Sequence, residues 1–160
     1  MSWDWLIRVV HVLAVVVLLG NLLMAPFWRR RLAMLGGAQA RAVANRSVRV
    51  ADLIFTLPGW VVVLATGIML LIAQHGWPSP HYWLDLSLLL FLGWLVLWHV
   101  LVLRARKAML VQADEVAASP QIPTERMTEL GEHERQWQRW SYVSAAVVIL
   151  ILILMVTRPF

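Results

Sequence analysis

The chain has 160 residues, of which 61% are hydrophobic and 14% charged, and its formal net charge is +5. Soluble domains carry about 25% charged residues, so this composition excludes an ordinary soluble globular protein and indicates a membrane protein. The lack of cysteine excludes disulfides, thiolate metal sites, iron–sulfur clusters and covalently attached c-type haem, but it leaves histidine-ligated metal or haem open.

Four apolar blocks divide the chain. They cover residues 9–28, 53–74, 86–103 and 140–157, and none contains Lys, Arg, Asp or Glu. About 20 apolar helical residues span the ~30 Å hydrocarbon core, and a backbone in lipid must pair its polar groups internally. The sequence therefore predicts an all-α, four-helix transmembrane bundle that forms one domain over 1–160. The predicted spans are about 5–28, 52–74, 84–104 and 139–158.

Basic residues are distributed unevenly among the connections. The first connection, 29–51, has six arginines and no acidic residue, whereas residues 75–85 have neither Lys nor Arg. The third, 104–139, begins and ends with basic residues. The positive-inside rule then predicts cytoplasmic first and third connections and outward-facing termini. Topology and anionic lipid account for the positive charge, so nucleic acid is not expected as a partner.

The third connection contains the helix-breaking stretch SPQIP at 119–123, with helix-compatible sequence on both sides. Thr124 is a suitable N-cap for the segment that follows. The pattern predicts that helices three and four extend past the bilayer as a cytoplasmic hairpin.

Polar residues of the first helix suggest a cofactor site. Asp4, Arg8 and His11 share one helix face by their i, i+4, i+7 spacing, and His11 lies about 10 Å below the outer surface by helix rise. A neutral imidazole can bind haem iron, and a guanidinium can pair with a propionate. This predicts His11 as a haem-iron ligand and Arg8 as a cofactor-binding residue. The alternative is that Arg8 snorkels to the interface and pairs with Asp4, while His11 bonds to a neighbouring helix.

Two further membrane residues are candidates for cofactor binding. Met69, on helix two, lies at a depth similar to that of the first histidine, so it is either a sixth ligand of the iron or packing. His99 lies about 20 Å below the outer surface, too far along the bundle to share that iron. It serves either a second site or an interhelical polar cluster with Asn21, Thr56 and Tyr142.

Other polar positions have weaker interpretations. His75 and His81 flank the second connection, where they could cap a site, bind a metal or face water. Asp52 is expected to cap the first turn of helix two, and Pro58 and Gly59 are expected to kink that helix.

Two motifs resemble those of a bacterial family of predicted four-helix integral membrane proteins of unknown function. The first motif consists of His11, Gly20, Asn21 and Trp28 on helix one, and the second of Asp52, Phe55, Thr56, Pro58 and Gly59 on helix two. More distantly, the chain is similar to the four-helix membrane protoporphyrinogen oxidase of bacterial haem synthesis and to membrane copper-resistance proteins. The resemblance to the oxidase implies b-type haem at His11. The resemblance to the bacterial membrane family implies the bacterial inner (cytoplasmic) membrane as the location. However, the chain has YWLDLSLLL where that oxidase has a lysine, so protoporphyrinogen oxidation is not implied.

These observations predict an integral membrane protein that binds b-type haem for electron transfer or for haem- or quinone-linked oxidoreductase chemistry. The alternative is a non-catalytic membrane subunit or assembly factor without a cofactor of its own, and a transporter or metal-handling protein is a third hypothesis. Expected partners are the lipid bilayer, a redox partner or quinone, and further copies of the chain or a larger membrane complex.

Overall fold

The structure is a computed structural model that describes residues 3–74, 82–118 and 124–157. It contains six α-helices: α1 (Trp3–Met34), α2 (Ala38–Ala51), α3 (Leu57–Gln74), α4 (Tyr82–Leu97), α5 (Leu103–Ala118) and α6 (Thr124–Thr157). Two π-helical turns, Asp52–Thr56 and Trp98–Val102, join α2 to α3 and α4 to α5 without a break. The described residues include no strand, and the prediction of an all-α protein is confirmed.

Four continuous helices are long and apolar enough to cross a membrane, as predicted. They cover Trp3–Met34, Gln39–Ala73, Tyr82–Val111 and Thr128–Thr157. Each has 30 or more residues, which exceeds the ~20 needed for the hydrocarbon core, so each continues beyond it. The outward orientation of the termini stays a prediction. The breaker at 119–123 lies outside the described residues, and so does the side chain of the proposed cap at position 124.

The first connection is mostly helical, which the sequence analysis did not predict. The first helix continues to Met34, the chain bends at residues 35–37, and α2 then runs directly into the second membrane helix. The apolar side of α2 buries Ala42, Ala44 and Val48 against the rest of the bundle. Its arginines therefore lie on a packed helix and not in a loop.

The helices pack unevenly around the bundle. The first helix packs against α2, α3 and α6, while α6 also packs against α4 and α5, and α2 packs against α5. In the described part of the chain, α3 and α4 are not among the closely packed pairs. We call the two ends of the bundle the His11 end and the Glu134 end. The gap between α3 and α4 lies toward the His11 end.

Helices α1 and α3 approach each other closely at a glycine. A Cβ atom added to Gly59 would lie 3.4 Å from the Cβ atom of Leu18, whose side chain is almost completely buried. Small residues at helix crossings let membrane helices approach closely and gain van der Waals contact. This contact belongs to an apolar core that continues through Trp94, Trp98 and Val148.

Candidate functional site

His11 is partly buried and hydrogen-bonded to the neighbouring helix α3. Its Nδ1 atom lies 2.8 Å from Thr66 Oγ1, and that hydroxyl lies 2.5 Å from the carbonyl oxygen of Val62. A hydroxyl carries a single proton, which Thr66 donates to the carbonyl, so it accepts its bond from His11 Nδ1–H. This tautomer leaves Nε2 of His11 as an unprotonated lone pair. No described side chain hydrogen-bonds to Nε2.

Gly67 leaves room for the imidazole ring against α3. A Cβ atom at this position would lie 3.3 Å from Cε1 of His11, which is tighter than nearly all such contacts. Thr66 thus orients the ring through its hydroxyl, and Gly67 has no side chain that would push the ring away from α3. Ring nitrogens that bind metals are usually oriented in this way, through a hydrogen bond from the other nitrogen.

An apolar cavity of about 80 Å³ opens beside the imidazole, and we call it the His11 cavity. Four helices line it: α1, α3, α4 and α6. The lining side chains are His11, Val15, Leu18, Val63, Leu64, Ile68, Leu71, Leu84, Ser87, Leu88, Phe91, Val148, Ile151, Leu152 and Met155, with Gly67 completing the wall. The hydroxyl of Ser87 donates to the carbonyl oxygen of Trp83 at 2.7 Å. The imidazole is therefore beside an internal space and does not project into the surrounding lipid.

The structure does not bring the other predicted cofactor residues into this cavity. Arg8 and Asp4 are both exposed, and Arg8 makes no ion pair or hydrogen bond with any described residue. Met69 is 51% exposed and points away from the cavity, because the helix face that reaches α1 carries Thr66 and Gly67. The predicted pairing of Arg8 with Asp4 is therefore not formed. The assignments of Arg8 and Met69 to a cofactor stay predictions.

His99 lies in the other half of the bundle. Its Nδ1 atom is 2.9 Å from the carbonyl oxygen of Leu95, and its ring meets those of Trp60 and Trp98 edge-on at 6.0 and 5.3 Å between centroids. It does not join the predicted polar cluster, and neither does the exposed Tyr142. His75 and His81 lie outside the described residues.

A buried polar group does form at the depth expected for that cluster, and it includes Asn21 and Thr56 as predicted, but Asp52 and Arg106 join them in place of His99 and Tyr142. Asn21 Nδ2 donates to Thr56 Oγ1 at 2.7 Å and lies 3.3 Å from Asp52 Oδ1, and Thr56 donates to the same carboxylate oxygen at 2.9 Å. Arg106 donates from NH1 to Asp52 Oδ2 at 2.6 Å. The guanidinium also lies 5.9 Å from the centre of the Trp98 ring. We call Asn21, Asp52, Thr56 and Arg106 the Asp52 cluster.

The predicted N-cap role of Asp52 is wrong, because the helix already begins at position 38. Asp52 instead opens the π-helical turn, in which the N–H of Leu57 donates to the carbonyl oxygen of Asp52. Pro58 follows at once and supplies no N–H. A π-helical turn widens the backbone where a proline ring would crowd the carbonyl four residues earlier. The carboxylate partners Asn21 and Arg106 are distant in the sequence, so local sequence does not reveal them.

A second buried ionic group lies at the Glu134 end. The carboxylate of Glu134 is 3.1 Å from NH1 of Arg29 and 3.7 Å from NH1 of Arg41, and the Arg29 guanidinium lies over the ring of Trp137. The N–H groups of Arg29 are not aimed at the carboxylate, so the 3.1 Å contact is an ion pair without hydrogen-bond geometry. Asn45, on the buried face of α2, is fully enclosed. The sequence analysis treated Arg29 and Arg41 only as topology signals.

These contacts fit a haem only in part. His11 Nε2 has the right chemistry for an axial ligand, and the exposed Arg8 guanidinium one turn above it is free of other pairing. The described part of the chain brings no second axial ligand to the His11 cavity, and no group of three or more His, Cys, Asp or Glu there could hold a bare metal ion. Pockets for drug-sized ligands measure about 300–1,000 Å³, so a porphyrin requires α3 and α4 to move apart.

Comparison with known proteins gives a single family. A family model described as "Predicted integral membrane protein (DUF2269)" matches residues 5–159. No curated protein and no solved structure matches. The match covers nearly the whole chain and agrees with the family resemblance inferred from the two helix motifs.

Proposed function

The chain belongs to the family of predicted integral membrane proteins DUF2269, and from that premise we propose that it is a membrane redox protein whose ligand site is the His11 cavity. The resemblance to a bacterial family and the four apolar helices favour the bacterial inner membrane, with the basic connections on the cytoplasmic side. The supporting observation is the state of His11: its Nδ1–H is committed to Thr66, and its free Nε2 adjoins an apolar space. An oriented imidazole with an available lone pair can bind iron or accept a hydrogen bond from a donor group.

The first cofactor to test is b-type haem, which supplies one-electron transfer through its iron. If haem binds, His11 Nε2 would hold the iron, the hydrogen bond to Thr66 would keep the imidazole in the tautomer with a free Nε2, and Arg8 would be available to pair with a propionate. Met69 and His99 were the other candidates from the sequence. Their positions favour a single protein ligand, because neither side chain lines the His11 cavity.

The test uses the two intramembrane histidines as a matched pair. The protein is expressed with haem supplied, purified in mild detergent, and examined by a reduced-minus-oxidised absorption spectrum. We expect a cytochrome b-type α-band that His11→Ala abolishes and His99→Ala retains. A wild-type protein without the band would refute haem binding. A band that survives in His11→Ala would refute the assigned ligand.

A second candidate function is a non-catalytic subunit or assembly factor. The favouring observation is a shallow groove of about 400 Å³ on the outer face of α2 and the following π-helical turn, lined mainly by apolar side chains that include Val43, Val50 and Phe55. Gentle solubilisation and affinity purification should then recover a stoichiometric partner. Recovery of the chain alone, or only with copies of itself, would count against this function.

A further inference from the structure

The hydrogen bonds around the His11 cavity restrict the chemistry of its ligand. Among the described lining side chains only His11 and Ser87 are polar. His11 Nδ1–H donates to Thr66, and the Ser87 hydroxyl donates to the carbonyl oxygen of Trp83. Every side-chain proton of the polar lining residues that the structure describes is therefore already in use. What remains are lone pairs: Nε2 of His11 and the hydroxyl oxygen of Ser87.

An apolar site that offers only acceptors discriminates between ligands by their donors. A ligand hydroxyl can donate to His11 Nε2, whereas a carbonyl oxygen in the same place finds no donor and remains unpaired. Leaving a buried polar group unpaired is unfavourable, so the arrangement favours a hydroxyl over a carbonyl. A neutral hydroxyl also suits an apolar lining better than a charged headgroup, whose burial without a partner is far more costly.

The size of the cavity favours a single ring over a macrocycle. A protein cavity of ~150 Å³ accommodates benzene, whereas drug-sized ligands occupy pockets of about 300–1,000 Å³. The His11 cavity encloses about 80 Å³. A ring with one or two hydroxyls thus needs roughly a doubling of the space, which small movements of α3 and α4 supply. A porphyrin needs a severalfold increase.

The route to the cavity points to the bilayer as the source of the ligand. The described parts of α3 and α4 are not closely packed, and each lines the cavity on its own side. Ile68 on α3 lines the cavity and is also partly exposed on the bundle surface, where lipid would lie. A molecule with an apolar tail can enter sideways between the two helices without crossing a polar barrier.

We propose that the His11 cavity binds a lipid-soluble, hydroxyl-bearing ring of the hydroquinone class, which enters between α3 and α4 and donates its O–H to His11 Nε2. This inference rests on the proposed function, because both place the ligand at His11. It goes further in naming the ligand class, the atom that recognises it and the route. It also predicts that the reduced, hydroxyl form binds better than the oxidised, carbonyl form.

The test compares three probes of similar size on the whole protein in lipid nanodiscs. They are a hydroquinone with a short alkyl tail, its dimethyl ether and the corresponding benzoquinone, with binding followed by calorimetry. We expect the hydroquinone to bind about tenfold more tightly than either of the others, the effect of one hydrogen bond to a buried acceptor. Equal affinity for all three would overturn the proposal, since the lone pair of His11 Nε2 would then make no difference to binding.

Two variants test whether His11 and Thr66 cause the preference for hydroquinone. His11→Leu and Thr66→Val should each remove the preference for hydroquinone. The first deletes the acceptor, and the second removes the hydrogen bond that keeps the proton on Nδ1 and leaves Nε2 unprotonated. Because His11→Leu also disrupts a helix contact, Thr66→Val and the imidazole nitrogen NMR shift on adding hydroquinone give an independent reading of the same bond. An unchanged shift, or a preference retained in Thr66→Val, would overturn the proposal.

The lateral route has its own matched pair on α3. Ile68→Trp fills the gap beside α4 and should abolish binding, whereas Ile72→Trp, on the same helix but outside the cavity lining, should leave it unchanged. Equal binding by the two variants would overturn the route. A cytochrome b-type band lost in His11→Ala would show that haem occupies Nε2, which overturns the hydroquinone proposal but upholds the proposed function. Neither band nor hydroquinone binding would overturn both.

Discussion

Removing the guanidinium of Arg106 should destabilise the protein more than any single change in its exposed arginines. Arg106 NH1 lies 2.6 Å from Asp52 Oδ2, and the side chains are only 13% and 7% exposed. Arg106→Met keeps most of the apolar stem but leaves the carboxylate with neutral donors from Asn21 and Thr56. Breaking one partner of a buried pair costs about 3–5 kcal/mol, or a shift of the unfolding equilibrium by a factor on the order of 10²–10⁴.

The assay is reversible unfolding in mixed micelles, by titration with a denaturing detergent and far-UV circular dichroism. Arg104→Met, at an exposed position on the same helix, is the control and should change stability by no more than ~0.5 kcal/mol. Asp52→Asn combined with Arg106→Met removes both charges and should recover most of the loss. The reasoning is refuted if Arg106→Met costs no more than Arg104→Met, or if the two single losses simply add in the double variant.

Further predictions use the same unfolding titration on matched positions. Gly93→Ala meets no neighbouring atom within 4 Å and should gain about 0.5–1 kcal/mol from helix propensity. Gly67→Ala should lose that gain and shift the imidazole NMR signals of His11, since its Cβ would lie 3.3 Å from the ring; unshifted signals would contradict this. Glu134→Ala strands a buried guanidinium and should cost ~3 kcal/mol. Asp114→Ala breaks an exposed ion pair and should cost at most ~1 kcal/mol; equal losses would show that burial does not set the difference.

The four spans could be predicted because each depends on a property of the local sequence. A run of about 20 uncharged apolar residues must be helical in lipid, whatever its neighbours are. The helix over 38–51 could not be found in this way, since hydropathy registers only the part of a helix that crosses the hydrocarbon. Its arginines indicated a connection, although Ala42, Ala44 and Val48 give it a buried face.

The partners of polar residues were predicted only in part, because depth constrains them while helix rotation does not follow from the sequence. Asn21 and Thr56 were placed at one depth and are bonded. Met69 was also matched in depth to His11, yet α3 is apolar apart from Thr66 and the terminal Gln74, so it gives little sign of which face meets α1. Thr66, the actual partner of His11, was overlooked, although it is a polar residue within one turn of Met69 on α3.

The placement of the Asp52 cluster explains why a cavity opens near the other end of the bundle. The Asp52–Arg106 pair joins the second and third membrane helices at the level where α2 packs against α5. Each of these helices contains a π-helical turn at this junction, and such turns redirect a helix axis. Beyond the junction, α3 and α4 no longer pack closely, and the His11 cavity lies between them. The motif residues of the second helix therefore lie at the junction with the third membrane helix, while the cavity of the proposed ligand lies beside His11, farther along the bundle.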